Sequence, residues 1–206
     1  MTSKTFVCKM LYNNCIVVGS GDTVHKNGNF IDKFDAIFRM NDAPTAGFEL
    51  LVGNKTTFRL VNKLSVQTWL GIKKHTRYEH KNKDRFNPNL CFKPVKCIVT
   101  DTWKDYTRHV LQARKMYPQI DLKIDGAIRK KSERILKKRP VSQGFVSFIY
   151  ARQMCKHTSI INFDPNCCKS NRNYKYYHTN ITKFVCCSKG REPFELEYNF
   201  YNNILG

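Results

Sequence analysis

The sequence predicts an α/β protein in which a mostly parallel sheet is flanked by helices. Short apolar runs bounded by turn residues alternate with longer segments whose apolar residues have helical spacing. A chain of 206 residues has room for one domain with a single core. The predicted strands are residues 15–18, 36–38, 57–61, 96–100, 122–124 and 159–163, and the predicted helices are residues 106–117, 126–138, 144–156 and 195–204.

Residues that interrupt regular structure set the limits of these elements. Pro118 and Pro140 lie where predicted helices stop or start, because proline cannot donate a helical hydrogen bond. In the second half of the chain, strands and helices alternate, which favours parallel strands joined by crossover helices. The hydrophobic fraction of 41% is ordinary for a globular protein and argues against wholesale disorder.

Small and polar residues follow the first two predicted strands and mark a candidate ligand site. Gly19, Ser20 and Gly21 end the first strand, and Asn41 lies just past the second. Ligands of open α/β sheets bind beyond the carboxyl ends of the strands. A turn of small residues also brings backbone N–H groups close to a phosphate. All four residues are therefore candidate ligand contacts.

The net charge of +20 indicates attraction to anionic partners. The cations concentrate between residues 71 and 139, above all in the run 129–139. A solvated helix face is the simpler interpretation of this run, because its apolar positions form only a narrow stripe. Nucleic-acid binding remains a minor alternative, since the run lacks the interleaved aromatic residues that stack on bases.

Nine cysteines in so short a chain favour an oxidising compartment, and their odd number leaves at least one unpaired. Zinc binding is the rival explanation, but no Cys-x-x-Cys pair has histidines placed to complete a tetrahedral site. Asn54 and Asn180 begin glycosylation sequons that fit a lumenal setting only weakly. No apolar run is long enough to span a membrane, and the first residues lack the apolar core of a signal peptide.

The segment from residue 15 to residue 58 resembles the large sialylmotif of the animal-type sialyltransferases, glycosyltransferase family 29. The agreement is found at Arg39-Met40-Asn41, Ala43-Pro44-Thr45, Gly47-Phe48-Glu49 and Val52-Gly53. This resemblance implies a single Rossmann-like domain of the GT-A variant, expected over residues 14–206. Residues 1–13 are then a short extension without the family's anchoring helix, as in a fragment, a mis-started gene model or a reduced soluble form.

A second segment resembles the small sialylmotif, in which a turn at a helix N-terminus contacts the cytidine nucleotide. Its residues here are Ser142, Gln143 and Gly144, with Gln143 in place of the usual Ser or Thr. An ordinary helix cap is the alternative interpretation. The resemblance also implies a disulfide between Cys15 and Cys155. Cys167 or Cys168 is a candidate partner of Cys186 or Cys187, and Cys8, Cys91 and Cys97 have no assignment.

Two further segments correspond to the family's catalytic motifs, but with altered residues. Lys175 stands where the family has a histidine that offsets the charge of the departing phosphate, and a solvated lysine on an aromatic core strand is the alternative. Glu192 stands at the histidine that serves as general base, and Glu197 matches the last residue of that motif. Ser20 replaces the usual donor-binding Asn. A catalytically dead site is therefore a serious alternative.

The resemblance implies transfer of sialic acid from CMP-sialic acid to a terminal sugar hydroxyl of a glycoprotein or glycolipid, with inversion. Gly19, Ser20, Gly21, Asn41 and the turn 142–144 would bind the donor. No cofactor or metal is expected, and the sequence has no Asp-x-Asp triplet. The GalNAc alpha-2,6-sialyltransferases are the expected subgroup, and the Golgi lumen is the expected location. The alternative is a catalytically impaired protein that binds the nucleotide or a glycan.

Overall fold

The computed structural model describes residues 11–21, 23–72, 88–101, 105–163, 176 and 194–205. Its strands form one parallel sheet in the order β5-β4-β3-β2-β1-β6. In chain order the elements are β1 Tyr12–Val18, α1 Gly28–Ile31, β2 Ala36–Met40, α2 Glu49–Val52, β3 Phe58–Val61, α3 Lys63–Trp69, a 3-10 turn Pro88–Cys91, β4 Lys96–Val99, α4 Tyr106–Met116, β5 Asp121–Ile124, α5 Gly126–Leu136, α6 Gln143–Met154, β6 Cys155–Ile161 and α7 Phe194–Leu205.

Helices cover both faces of the sheet, because successive side chains of a strand point to opposite sides. One face carries Val17, Phe38 and Leu60 and packs against α5, α6 and α7. The other face packs against α1 and α2 over β1 and β2, and against α3 and α4 over β3, β4 and β5. The predicted α/β class with a parallel sheet is therefore confirmed.

All six predicted strands and all four predicted helices are present, with shifted limits. The largest shift is in β6, which begins at Cys155 rather than at residue 159. Cys155 already pairs with Tyr12 of β1, so the chain passes from α6 into β6 without a loop. The short helices α1, α2 and α3 were not predicted from the sequence. The first turn of α3 is capped by the Asn62 side chain, which accepts a hydrogen bond from Ser65 N.

The basic run lies on α5 and the residues after it. Ile128 and Ser132 face the core, whereas Lys130, Lys131 and Arg134 are exposed. The interpretation of this run as a solvated helix face therefore fits these three residues, but not Arg129, whose side chain is only 18% exposed and pairs with Asp101. Within the described ranges, no helix is long and apolar enough to cross a membrane.

Candidate functional site

The predicted donor-binding residues lie together at the carboxyl end of the sheet. Gly19, Ser20 and Gly21 follow β1, and Asn41 follows the neighbouring parallel strand β2. Helix α6 leads directly into β6, so its N-terminus lies at the carboxyl end of the strands as well. A Cβ added at Gly144 would come within 2.6 Å of Phe163, which follows β6. Three segments distant in sequence therefore meet at this end.

The turn after β1 packs against the end of β6. Gly19 N donates a hydrogen bond to Ile161 O at 2.7 Å, and Gly21 N donates to Asn162 O at 3.2 Å. A Cβ at Gly19 would lie only 2.2 Å from Asn162 O. Gly19 is therefore required by the close approach of two backbones. No local sequence pattern marks Asn162 and Phe163 as neighbours of this turn, because only the pairing of β6 with β1 brings them there.

Asn41 adopts a left-handed backbone conformation with a φ of 45°. Its side-chain oxygen accepts a hydrogen bond from Asn62 N at 3.0 Å, and its backbone carbonyl accepts one from Arg59 at 2.7 Å. The first contact orients the side-chain amide, and the second holds the backbone of Asn41. Its Nδ2 group forms no hydrogen bond with the described residues and can donate to a ligand at the carboxyl end of the sheet.

Arg39 supports this loop from inside the protein. Its guanidinium is 1% exposed and donates to Val52 O at 2.6 Å and to Lys55 O at 2.9 Å. Desolvation by burial lowers the pKa of Arg39 to about 10, an effect that Tyr176 opposes. Arg39 therefore remains charged near neutral pH and fixes the connection between α2 and β3.

Ser142 caps α6 and is held by a carboxylate from α7. Its hydroxyl accepts a hydrogen bond from Phe145 N at 3.0 Å and donates to Glu197 Oε2 at 2.5 Å. Its backbone N–H donates to Glu197 Oε1 at 2.7 Å. Glu197 is 2% exposed, so these bonds form away from water. Glu197, the last residue of the segment that matches the family's general-base motif, had no predicted role. In the structure it holds the turn 142–144.

The Gln143 side chain points toward β4. Its Nε2 donates to the Thr100 hydroxyl at 3.0 Å, and its Oε1 accepts a hydrogen bond from Arg129 Nη2 at 2.6 Å. β4 is separated from β1 by β3 and β2. The side-chain amide is thus engaged away from the glycine turn. The backbone N–H groups of Gln143 and Gly144 make no hydrogen bond within the described ranges, as is usual for the first residues of a helix.

Tyr176 connects the aromatic segment of the sequence to the same site. Its backbone N–H donates to Ser20 O at 3.2 Å, and its hydroxyl donates to Pro44 O. Its ring meets the Phe48 ring edge-on, with 5.2 Å between centroids. The predicted catalytic residues Lys175 and Glu192 lie outside the described residues.

The structure contains the Cys15–Cys155 disulfide, with Cα atoms 6.1 Å apart. It joins β1 to the junction of α6 and β6. A second disulfide links Cys91 to Cys97, which the sequence analysis left unassigned. Their separation of only six residues across a proline-containing turn was the available signal. Cys8, Cys167, Cys168, Cys186 and Cys187 lie outside the described residues.

A family profile, glycosyltransferase family 29 (sialyltransferase), matches residues 7–205. Over 205 residues the chain is 26% identical to beta-galactoside alpha-2,6-sialyltransferase 1 of Mus musculus. This match covers 94% of this chain and 50% of the mouse protein. The Homo sapiens counterpart is 24% identical over 204 residues, with the same shares of each chain. The chain thus spans about half the length of these curated relatives.

A shorter match, 43% identical over 49 residues, is to lactosylceramide alpha-2,3-sialyltransferase of Bos taurus and covers 23% of this chain and 12% of that protein. A crystal structure of a mammalian sialyltransferase shares the fold, with a TM-score of 0.61 at 20% identity. The match covers 94% of this chain and 66% of the mammalian chain. None of these relatives is named for GalNAc, so the predicted subgroup stays a prediction.

Proposed function

Because the chain belongs to glycosyltransferase family 29, the sialyltransferases, we propose that it transfers sialic acid from CMP-sialic acid to a terminal sugar hydroxyl of a glycoprotein or glycolipid, with inversion. The observation that carries this proposal is the convergence of the turn 19–21, Asn41 and the N-terminus of α6 at one end of the sheet. Such an end is where α/β folds bind nucleotides.

The donor would be bound mainly by backbone groups and one side-chain amide. The N–H groups of Gln143 and Gly144, which no described residue bonds, and the dipole of the 12-residue helix α6 favour the CMP phosphate. Asn41 Nδ2 would add a donor from the neighbouring strand end. The side chains of Ser142 and Gln143 would not contact the donor, because their polar atoms are already bonded within the protein.

We assign the chemistry to Glu192 and Lys175 as the counterparts of the family's histidines. The acceptor hydroxyl attacks the anomeric carbon, its proton passes to the Glu192 carboxylate, and the bond from that carbon to the phosphate oxygen breaks. CMP leaves with both electrons of that bond, and Lys175 offsets the charge on its phosphate. Tyr176, the next residue in the sequence after Lys175, donates its N–H to Ser20 O in the turn after β1.

The direct test is acceptor-dependent release of CMP from CMP-sialic acid by the purified, oxidised protein. Acceptors ending in galactose and in GalNAc are compared, because the relatives are named for β-galactosides and lactosylceramide and the sequence favours GalNAc. Asn41→Ala is expected to weaken CMP binding about tenfold, the loss of one hydrogen bond to a charged group. Asn54→Ala is the matched control, since Asn54 is exposed. Saturable CMP binding without turnover, even with both acceptors, would contradict the transferase.

A catalytically impaired, nucleotide-binding protein is the second candidate. The engaged side chains of Ser142 and Gln143 favour it, since they remove two side chains from the set available to the donor. Glu192→His separates the two candidates. A gain of transferase activity in this variant would identify a competent site impaired at one residue, whereas a loss would identify Glu192 as a working base.

We also propose that the protein works in an oxidising compartment, the Golgi lumen. Both disulfides of the described residues support this location, because cytosolic thiols are kept reduced. Immunolocalisation in the source cell against a Golgi marker tests it, and a purely cytosolic signal with free Cys15 and Cys155 thiols would contradict it.

A further inference from the structure

A chain of polar contacts connects the N-terminus of α6 to α5, to the residues that follow β4 and, through Asp101, to the start of α3. Gln143 is the first residue of α6, and its side-chain amide bonds Thr100 at the end of β4 and Arg129 on α5. Arg129 Nη1 also donates to Val141 O at 3.0 Å. Arg129 Nε forms an ion pair with Asp101, which follows β4. Arg129 thus contacts residues on both sides of the Ser142 cap.

The ion pair at the centre of this chain is largely shielded from water. The side chains of Arg129 and Asp101 are 18% and 17% exposed. The other oxygen of Asp101 accepts a hydrogen bond from Lys63 N at 3.0 Å, at the start of α3. Nη1 and Nη2 of Arg129 therefore each donate a hydrogen bond, whereas Nε has only the ion pair with Asp101 and makes no hydrogen bond within the described residues. The carboxylate that balances the charge is itself fixed by Lys63 N.

Gln143 stands where the family usually has Ser or Thr. Its longer side chain makes contacts that a Ser or Thr side chain cannot make. A hydroxyl on Cβ lies two bonds closer to the backbone than the end of a glutamine side chain, too close to reach both Thr100 and Arg129. The contacts to Thr100 and Arg129 hold the backbone of the first helical turn from the side facing β4. The N–H groups of that turn are the ones assigned above to the donor phosphate.

We propose that Arg129, Asp101 and Gln143 are positioning residues, which orient the N–H groups of Gln143 and Gly144 toward the donor phosphate without touching it. This inference rests on the proposed function for the identity of the anion. Preorganised donors bind an anion more tightly because less conformational freedom is lost on binding. Loss of Arg129 should therefore weaken CMP binding through the helix N-terminus.

The test compares two arginines of the same helix. Arg129→Met removes the guanidinium that contacts Val141, Gln143 and Asp101. Arg134→Met removes an exposed guanidinium that, among the described residues, donates a hydrogen bond to Lys130 O of its own helix. CMP binding is measured by calorimetry and folding by thermal unfolding. We expect Arg129→Met to weaken CMP binding about tenfold and Arg134→Met less than about twofold. A lower melting temperature with an unchanged Kd would overturn the proposal, since that is the result of a purely structural role.

Gln143→Leu tests whether the residues act as one unit. Alone it should weaken CMP binding about as much as Arg129→Met, and in the Arg129→Met background it should add less than about twofold. Fully additive effects would contradict the proposal. If Arg129→Met does not fold, Asp101→Asn with Gln143→Leu forms the same cycle.

Hydrogen exchange of the amides at residues 143–145 tests the positioning role independently of whether CMP is the ligand. Wild-type protein that fails to bind CMP would contradict the proposed function. The positioning contacts would still predict faster exchange of these amides in Arg129→Met than in Arg134→Met without ligand. Equal exchange rates would overturn the positioning role whatever the ligand is.

Discussion

The disulfides of the two halves of the sheet span very different lengths of chain. In the site half, defined as β1, β2, β6 and α6, the Cys15–Cys155 disulfide joins residues 140 apart, and Glu197 reaches Ser142 from 55 residues away. In the far half, defined as β3, β4, β5, α3 and α4, the Cys91–Cys97 disulfide spans six residues. A hydrogen bond from Arg114 to Leu122 O spans eight.

This difference shows which half of the molecule is cross-linked over a long stretch of chain. The candidate donor site is built from segments that meet only when the chain is folded, so each tie removes a large loop entropy. The disulfide of the far half closes only a short loop. The strand pairing of that half and the hydrogen bond from the Tyr117 hydroxyl to Trp69 O, 48 residues away, are long-range contacts. We therefore expect the loss of a disulfide to be more damaging in the site half.

Removing the disulfides one at a time should give the largest difference between the halves. In the chain-entropy model, a 140-residue loop corresponds to about 5 kcal/mol of unfolding free energy and a six-residue loop to about 2 kcal/mol. Cys15→Ser/Cys155→Ser should therefore lose about 3 kcal/mol more than Cys91→Ser/Cys97→Ser in urea unfolding. Equal losses would show that loop length does not distinguish the two halves.

Substitutions that remove side-chain hydrogen bonds should cause the next largest losses in unfolding free energy. Glu197→Gln replaces one acceptor of the carboxylate with a donor that faces Ser142, and a lost bond to a buried charge costs about 3 kcal/mol. Arg114→Met in the far half removes hydrogen bonds to one part-buried backbone carbonyl, that of Leu122, and should cost about 1 kcal/mol. Urea unfolding measures both, with the exposed Glu195→Gln on α7 as the control. A larger loss for Arg114→Met would reverse the comparison.

Glycine substitutions extend the comparison to backbone packing. Gly19→Ala in the site half forces a Cβ to within 2.2 Å of Asn162 O, and such overpacking costs about 2 kcal/mol. Gly71→Ala, just after α3, meets no atom within 4 Å, so its positive φ of 69° alone should cost about 1 kcal/mol. Thermal unfolding of both variants is the measurement. Gly19→Ala with wild-type stability would mean that β6 does not press on the turn.

Tyr201→Phe should change the unfolding free energy least. Unlike the variants above, it is expected not to destabilise the protein. Its hydroxyl is buried and has no hydrogen-bond partner among the described residues. Tyr201→Phe should therefore be neutral or stabilise by up to about 1 kcal/mol. Tyr198→Phe on the same helix is the control, since its ring is only half-buried. A clear destabilisation by Tyr201→Phe would indicate a partner for this hydroxyl.

The same residue predicts a dependence on alkaline pH. Burial, and secondarily the Glu197 carboxylate, raises the pKa of Tyr201 well above its ordinary value near 10. The unfolded chain releases this proton near pH 10 while the folded protein keeps it, so the contribution is complete below pH 10 and is lost as pH rises above it. Unfolding free energy measured from pH 9 to 11 should fall less steeply in Tyr201→Phe. Parallel curves would contradict the shift.

Much of the fold was accessible from the sequence, since apolar runs and helical spacing are local properties. All six strands and the four longer predicted helices were placed correctly to within a few residues. The start of β6 was missed because Cys155 becomes a strand residue only by pairing with Tyr12. Helix α3 was missed although Asn62 is a typical N-cap residue, so that signal was present in the sequence.

For the candidate site, the sequence determined the residues, and the tertiary structure decided how they are used. Gly19, Ser20, Gly21, Asn41 and the turn 142–144 were identified from strand ends and motifs, and they do lie at one end of the sheet. Which of their groups are available to a ligand depends on partners far away in the chain. Glu197 and Thr100 engage the side chains of Ser142 and Gln143, while no residue in the described ranges accepts a hydrogen bond from the amide nitrogen of Asn41. Hydrogen bonds between distant segments form only after the sheet and its helices are packed, which is why no local pattern could reveal them.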